Sequence, residues 1–195
     1  VGAEVLPPIL GAFRAAHPGV TTELALSNVT EDLLRRQADI AVRMVRPTQG
    51  ALVARRIGTT RVGLHAHRRY LAAHGTPSTM DALRDHATIG FDTETPAIRA
   101  LLGNGLRFSR EMFAFRTDSD LAALALVRAG TGIGVCQLGI ARRDPDLVHV
   151  LQEGFALDLD IWVVMHEDLR AVRRMRLMFD HLADHLAAFS AQSQP

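Results

Sequence analysis

The chain has 195 residues, 48% of them apolar and 22% charged, and a formal net charge of +1. That composition describes one globular domain or two small lobes, able to bury roughly 70% of the unfolded surface without a metal or disulfide staple. It excludes a disordered segment, gives no overall electrostatic reason to bind a polyanion, and its single cysteine, Cys136, excludes an intrachain disulfide or a multi-cysteine zinc site.

All 22 basic residues are Arg, scattered along the chain, which reads as coding bias. No apolar run approaches the roughly 18 residues a membrane span needs. No basic stretch precedes residues 5–10, so no signal peptide is read, and a cytoplasmic chain cut from a longer one is expected.

Leu6, Ile9, Leu10 and Phe13 recur at helical spacing, and Pro7 and Pro8 are tolerable in a first turn, so a helix is expected until His17-Pro18-Gly19. Residues 22–26 alternate like a half-buried strand with Leu24 and Leu26 on one face. Asn28 or Thr30 can cap a helix to residue 37, with Glu31 and Asp32 in its first turn. Strands are expected at 38–44, 52–57 and 61–65, with a loop at Pro47-Thr48-Gln49-Gly50. This rhythm predicts a βαβ-type lobe with a parallel sheet.

A second lobe repeats it. A short helix over Arg68–His74 ends at Gly75 and Pro77, and Ser78 or Thr79 caps another to residue 86. A strand follows at 88–91, then an Asn104-Gly105 turn and one or two strands over 106–116. Thr117-Asp118-Ser119 caps an apolar helix at 121–129, closed by Gly130-Thr131-Gly132 before a buried strand at 133–136. The last strands are expected at 147–151 and 159–165. A final helix spans 169–189, with Met175, Met178, Leu182, Leu186 and Phe189 as its core stripe, before a frayed tail at 190–195.

Gly130-Thr131-Gly132-Ile133-Gly134 superficially suggests a dinucleotide loop, but such a loop follows a strand and opens a helix. Here the glycines close a helix, and Gly130 reads as a left-handed C-cap residue. Arg43 ends an apolar strand. It either pairs with a nearby carboxylate or captures an anion at the strand's C-terminal end. Thr59 and Thr60 read as loop hydroxyls or as ligand contacts, and Phe91 as a core residue or an apolar wall. His65 and His67 point to one face of their strand and read as surface histidines. His181 and His185 sit one helical turn apart without a third metal ligand. Cys136 reads as a packed small hydrophobe. No nucleophile–base order, paired carboxylate motif or phosphate loop appears, so no enzyme, cofactor or metal is expected.

The run Leu6-Pro7-Pro8, Phe13, His17-Pro18-Gly19-Val20 and Ser27-Asn28 resembles the effector-binding domain of LysR-type transcriptional regulators. So do Asp32-Leu33-Leu34 with Ala38-Asp39-Ile40-Ala41-Val42-Arg43, Tyr70-Leu71 with His74-Gly75-Thr76-Pro77, the glycine loop, and His166-Glu167-Asp168-Leu169. The resemblance covers essentially the whole chain in order. The chain departs from the family pattern at Val45, where a glycine is frequent, and at Gln137-Leu138, where a proline is frequent.

The resemblance implies an α/β fold of two Rossmann-like lobes, like type 2 periplasmic-binding proteins, with a ligand cleft between them. Lobe one would be 1–64 with 163–195, and lobe two 65–162. It implies a small organic effector, anionic ones included, held by Ser27, Asn28, Arg43, Thr59, Thr60, Phe91, Thr117, Asp118, Ser119 and Thr131. It further implies a homodimer or tetramer, with Leu6–Ala16 and residues 22–26 as the contact. DNA would be bound only through an N-terminal helix-turn-helix that this sequence does not contain. Two other classes share the architecture: a free-standing solute-binding protein, and an enzyme built in the same cleft.

Overall fold

The computed structural model describes residues 1–27, 38–47, 50–95, 98–99 and 108–193. In chain order the elements are α1 (Leu6–Ala16), β1 (Ile40–Arg43), β2 (Leu52–His67), α2 (Arg68–His74), β3 (Thr88–Gly90) and β4 (Phe115–Arg116). They continue with α3 (Asp120–Arg128), β5 (Ile133–Gln137), α4 (Leu138–Ala141), β6 (Leu147–Val150), β7 (Leu157–His166) and α5 (Arg173–Gln192). Single 3-10 turns occupy Asp81–Asp85, Arg110–Met112 and Glu167–Ala171. The chain divides into two compact units, 1–60 with 159–195 and 61–158. β2 and β7 each run from one unit into the other.

In the first unit the strand order is β1-β7-β2. β1 and β7 pair antiparallel, from Ile40 opposite Met165 to Arg43 opposite Trp162. The parallel sheet expected of this lobe is therefore not what its described pair forms, because the partner of β1 is the strand returning from the second unit. The core is built by α1 and α5. Leu6, Ile9 and Phe13 recur along one face of α1, and Met178, Phe179, Leu182, Ala183, Leu186 and Phe189 along one face of α5. Phe13 and Leu186 are fully buried, each worth about 1.5–3 kcal/mol of transfer free energy. His181 fixes the register of the two helices. Its Nε2–H donates to the Ile9 carbonyl at 2.9 Å, and its ring meets Phe13 edge-on at 5.3 Å.

In the second unit the later half of β2 lies between β5 and β6 and runs antiparallel to both, with Leu64 opposite Val135 and Val150. β3 then pairs parallel with β5 and with β4. α3 connects β4 to β5 and buries Leu124 and Val127. A Cβ on Gly134 would meet Val127 Cγ2 at 2.7 Å, so glycine is what lets the helix settle on β5.

Several expectations are corrected. Residues 52–57 and 61–65 are one 16-residue strand, β2, because β-branched Thr59 and Thr60 continue the extended backbone across Gly58. Gly58 is tolerated there since any side chain would strike Ser190. Residues 22–26 form no strand with any described partner, and Leu24 and Leu26 are exposed. Of the 106–116 strand region, the described part is a 3-10 turn and the two-residue β4. The helices expected at 78–86 and before residue 173 shorten to 3-10 turns. The tail is not frayed through residue 193. Ser190 donates to the Thr59 carbonyl at 2.7 Å, and the fully buried Ser193 donates to the Phe189 carbonyl at 2.8 Å. His65 is buried, not a surface histidine, because the face it shares is covered in the second unit. The helix expected at 28–37, residues 48 and 49 of the 47–50 loop and the Asn104-Gly105 turn lie outside the described residues.

Candidate functional site

The second unit gathers four of the candidate residues where β3 ends and α3 begins. Parallel strands bring their C-terminal ends to one side, and the chain must turn there into a helix whose first N–H groups are free. Thr117 N–H donates to the Gly90 carbonyl at 2.9 Å, closing the corner. Thr117 Oγ1 accepts from Ser119 N at 3.1 Å, and Ser119 Oγ accepts from Ala122 N at 3.3 Å as the N-cap of α3. Asp118 turns away from the helix. Its Oδ1 accepts from the backbone N–H groups of Asp92 and Thr93 at 3.0 and 2.9 Å. Those bonds, with Arg110 nearby, hold its carboxyl below the usual aspartate range.

Phe91 follows β3 directly and meets Phe113 edge-on at 5.0 Å. Arg110 pins the same loop from the other side, with Nη2 2.7 Å and Nε 3.0 Å from Asp92 Oδ1. The corner thus offers two hydroxyls, a helix N-terminus and an aromatic edge on a loop braced at both ends. Thr131 stands at the opposite end of α3, where its hydroxyl donates to the Leu126 carbonyl at 2.9 Å. Gly130 there adopts φ +64°, the C-cap conformation read from the glycine run.

In the first unit, Arg43 ends β1 and is 8% exposed, beside the half-buried Trp162. Thr59 and Thr60 lie within β2, not in a loop. Thr60 is fully buried and its Oγ1 has no hydrogen-bond partner among the described residues. Ser27 ends the exposed 21–27 stretch, and Asn28 lies outside the described residues.

Sequence reasoning missed the bracing pairs at the corner. Arg110 and Asp92 are 18 residues apart with no motif linking them, and Asp118 reads equally well as part of a simple cap. It also missed the stacked pair of His65 and His149, since only the pairing of β2 with β6 brings them together. Among the described residues no three His, Cys, Asp or Glu side chains are grouped to hold a metal ion, and no helix is long and apolar enough to cross a membrane.

Comparison with known proteins places this geometry in a family. Residues 1–187 match the family described as the LysR substrate binding domain. The chain is 30% identical to the "Probable HTH-type transcriptional regulator LtrA" of Klebsiella pneumoniae over 99% of its own length and 65% of that protein's. It is 27% identical to the HTH-type transcriptional regulator CrgA of Neisseria meningitidis serogroup C, over 94% of its length and 63% of that protein's. The CrgA regulatory domain from Neisseria meningitidis superposes with a TM-score of 0.83 at 26% identity, covering 94% of this chain and 92% of that one. The regulatory domain of the C227S variant of AphB from Vibrio vulnificus shares the fold, with a TM-score of 0.69 at 21% identity over 93% of this chain and 94% of that one. The chain therefore spans under two thirds of the full-length regulators it matches. Its α/β architecture is that of LysR regulatory domains, the two-lobed periplasmic-binding-protein-like fold, and the chain belongs to the LysR substrate binding domain family.

Proposed function

We propose that the two compact units are the family's two lobes and that this domain senses a small organic molecule, anionic ones included, without performing chemistry on it. The observation that carries the reading is the braced corner of β3 and α3. Thr117 and Ser119 hydroxyls, the free N–H groups of α3 and the Phe91 ring suit a carboxylate-bearing ligand. Ser27, Asn28, Arg43, Thr59, Thr60, Asp118 and Thr131 complete the proposed contact set on the strength of the family resemblance.

The effector would shift a two-state equilibrium by its differential affinity for the two states. The change would pass through a homodimer or tetramer to an N-terminal helix-turn-helix in the full-length regulator, which alone would bind DNA. The exposed face of α1 and the 22–26 stretch, with Leu24 and Leu26 uncovered, are the proposed dimer contact. A cytoplasmic location follows from that role.

A thermal-shift screen of small organic acids and amino acids tests the proposal, since a ligand at 100 times its Kd adds about 2.7 kcal/mol of stability. A true effector raises the midpoint and changes the emission of Trp162, the only tryptophan. Thr117→Ala with Ser119→Ala weakens its binding. Undiminished binding to that double variant would refute the corner as the site.

A further inference from the structure

α5 has two unlike sides. Met178, Leu182, Leu186 and Phe189 bury one of them in the first unit. On the opposite side Arg173, Leu177, Asp180, Asp184, Ala187 and Ala191 recur at alternating steps of four and three, the spacing of a seam between paired helices. Leu177 is half-buried and the other five are exposed, as is Arg176 on the flank of the seam.

The charges on this side are segregated. Arg173 and Arg176 occupy the first turn, and Asp180 and Asp184 the middle of the helix. None of the four has an ion pair or a side-chain hydrogen bond among the described residues, although Arg176 and Asp180 stand one turn apart. Elsewhere Arg56, Arg61, Arg68, Arg110 and Arg128 each sit against an aspartate. The order also opposes the helix dipole, which favours acids at the N-terminus and bases at the C-terminus. α5 has no acid in its first turn, no base in its last and no side-chain cap at Val172. Stability of the helix itself therefore gives no reason for this arrangement.

A second α5 laid antiparallel does give one. With a two-fold axis level with Met178 and Phe179, Arg173 comes opposite the partner's Asp184, and Arg176 reaches the partner's Asp180. The axis repeats both pairs, so four unlike-charge contacts form and no like charges meet. The two Leu177 side chains close on each other near the axis. The overlap, residues 173–184, is about three turns long. Such a contact is small and its ion pairs are exposed, so it is weak and sensitive to salt.

We propose that the outer side of α5 docks a second copy of this chain, the two helices pairing antiparallel through Arg173, Arg176, Asp180 and Asp184. The surface is separate from α1 and residues 22–26 and stands whether or not those form a contact. Together with another two-fold contact it links dimers into larger assemblies.

The test is a pair of charge reversals in the whole chain, followed by fluorescence-detected sedimentation. Arg173→Glu with Arg176→Glu makes the seam wholly acidic, and Asp180→Arg with Asp184→Arg makes it wholly basic. Each variant alone should associate through this side at least about tenfold more weakly than the native chain at about 50 mM salt. Mixing the two should restore the association, because the unlike pairs re-form between copies. Asp81→Arg with Asp85→Arg, at exposed positions of the second unit, carries the same net charge as the basic variant and should not restore it. Cysteine cross-linking on the otherwise native helix is the second measurement. Leu177→Cys should cross-link to its own copy, and Ala191→Cys, whose two copies lie about 38 Å apart along the pair, should not. A mixture no tighter than either variant alone, restoration by the Asp81 and Asp85 variant, or equal cross-linking at 177 and 191 would each overturn the proposal.

Discussion

Replacing His65 by leucine should flatten the acid side of the stability profile. In the native chain burial holds this imidazole neutral, with its pKa lowered from 6.5 to about 4. The unfolded chain binds the proton at about 6.5, so between those values the unfolded state carries more protons than the native one. The stability tied to His65 is therefore complete above pH 6.5 and is lost as pH falls toward 4. A gap of about 2.5 pH units corresponds to about 3 kcal/mol, a large share of the margin of a domain this size. His149, stacked on it and also held neutral, adds loss of the same sign. The depressed carboxyls of Asp118 and Asp158 act lower, within and below the ordinary carboxylate range. Urea unfolding followed by circular dichroism from pH 7.5 to 4.5 separates the two regimes. The wild-type midpoint should drop steadily below pH 6.5 and the His65→Leu midpoint much less. Parallel profiles for the two proteins down to pH 5 would refute the assignment of a buried, neutral His65.

Three further outcomes can be checked by equilibrium unfolding. Ser119→Ala removes the N-cap of α3 and should cost about 1 kcal/mol, with near-native secondary structure retained. Leu186→Ala opens a void between α5 and the rest of the first unit's core and should cost about 2–5 kcal/mol, the upper end if the helices cannot close on it. Thr60→Val replaces a buried, unpartnered hydroxyl by a methyl group of similar shape. It should leave the unfolding free energy unchanged or raise it by about 1 kcal/mol, and a clear loss would show that the hydroxyl has a partner inside the fold.

The elements legible in the sequence were those whose ends are written locally. α1 stops at His17-Pro18-Gly19, α2 at Gly75, and α3 begins at a Ser cap and ends at a left-handed glycine, all signals carried by the residues themselves. The elements misread depend on partners far along the chain. Gly58-Thr59-Thr60 looks like a break, yet the backbone stays extended because Ser190, more than 130 residues later, fills the space above Gly58 and bonds the Thr59 carbonyl. Ser190 and Ser193 look like a polar tail, but each hydroxyl satisfies a carbonyl inside the first unit. The candidate corner was half legible for the same reason. Its cap follows from Thr117-Asp118-Ser119, while the bonds of Asp118 and Arg110 to the loop after β3 exist only once β3 and β4 lie side by side.

The second unit is a single continuous stretch, 61–158, inserted into a first unit whose sequence resumes only at residue 159. During synthesis from the N-terminus the inserted unit has all of its strands and helices available before the enclosing one does. Until α5 leaves the ribosome, α1 has no Leu182, Ala183 or Leu186 to cover Ile9 and Phe13, so that apolar face waits exposed while more than 150 residues are made. A truncation just before residue 173 should accordingly leave the inserted half foldable and the enclosing half prone to aggregation or proteolysis, so completion of the enclosing unit waits on α5.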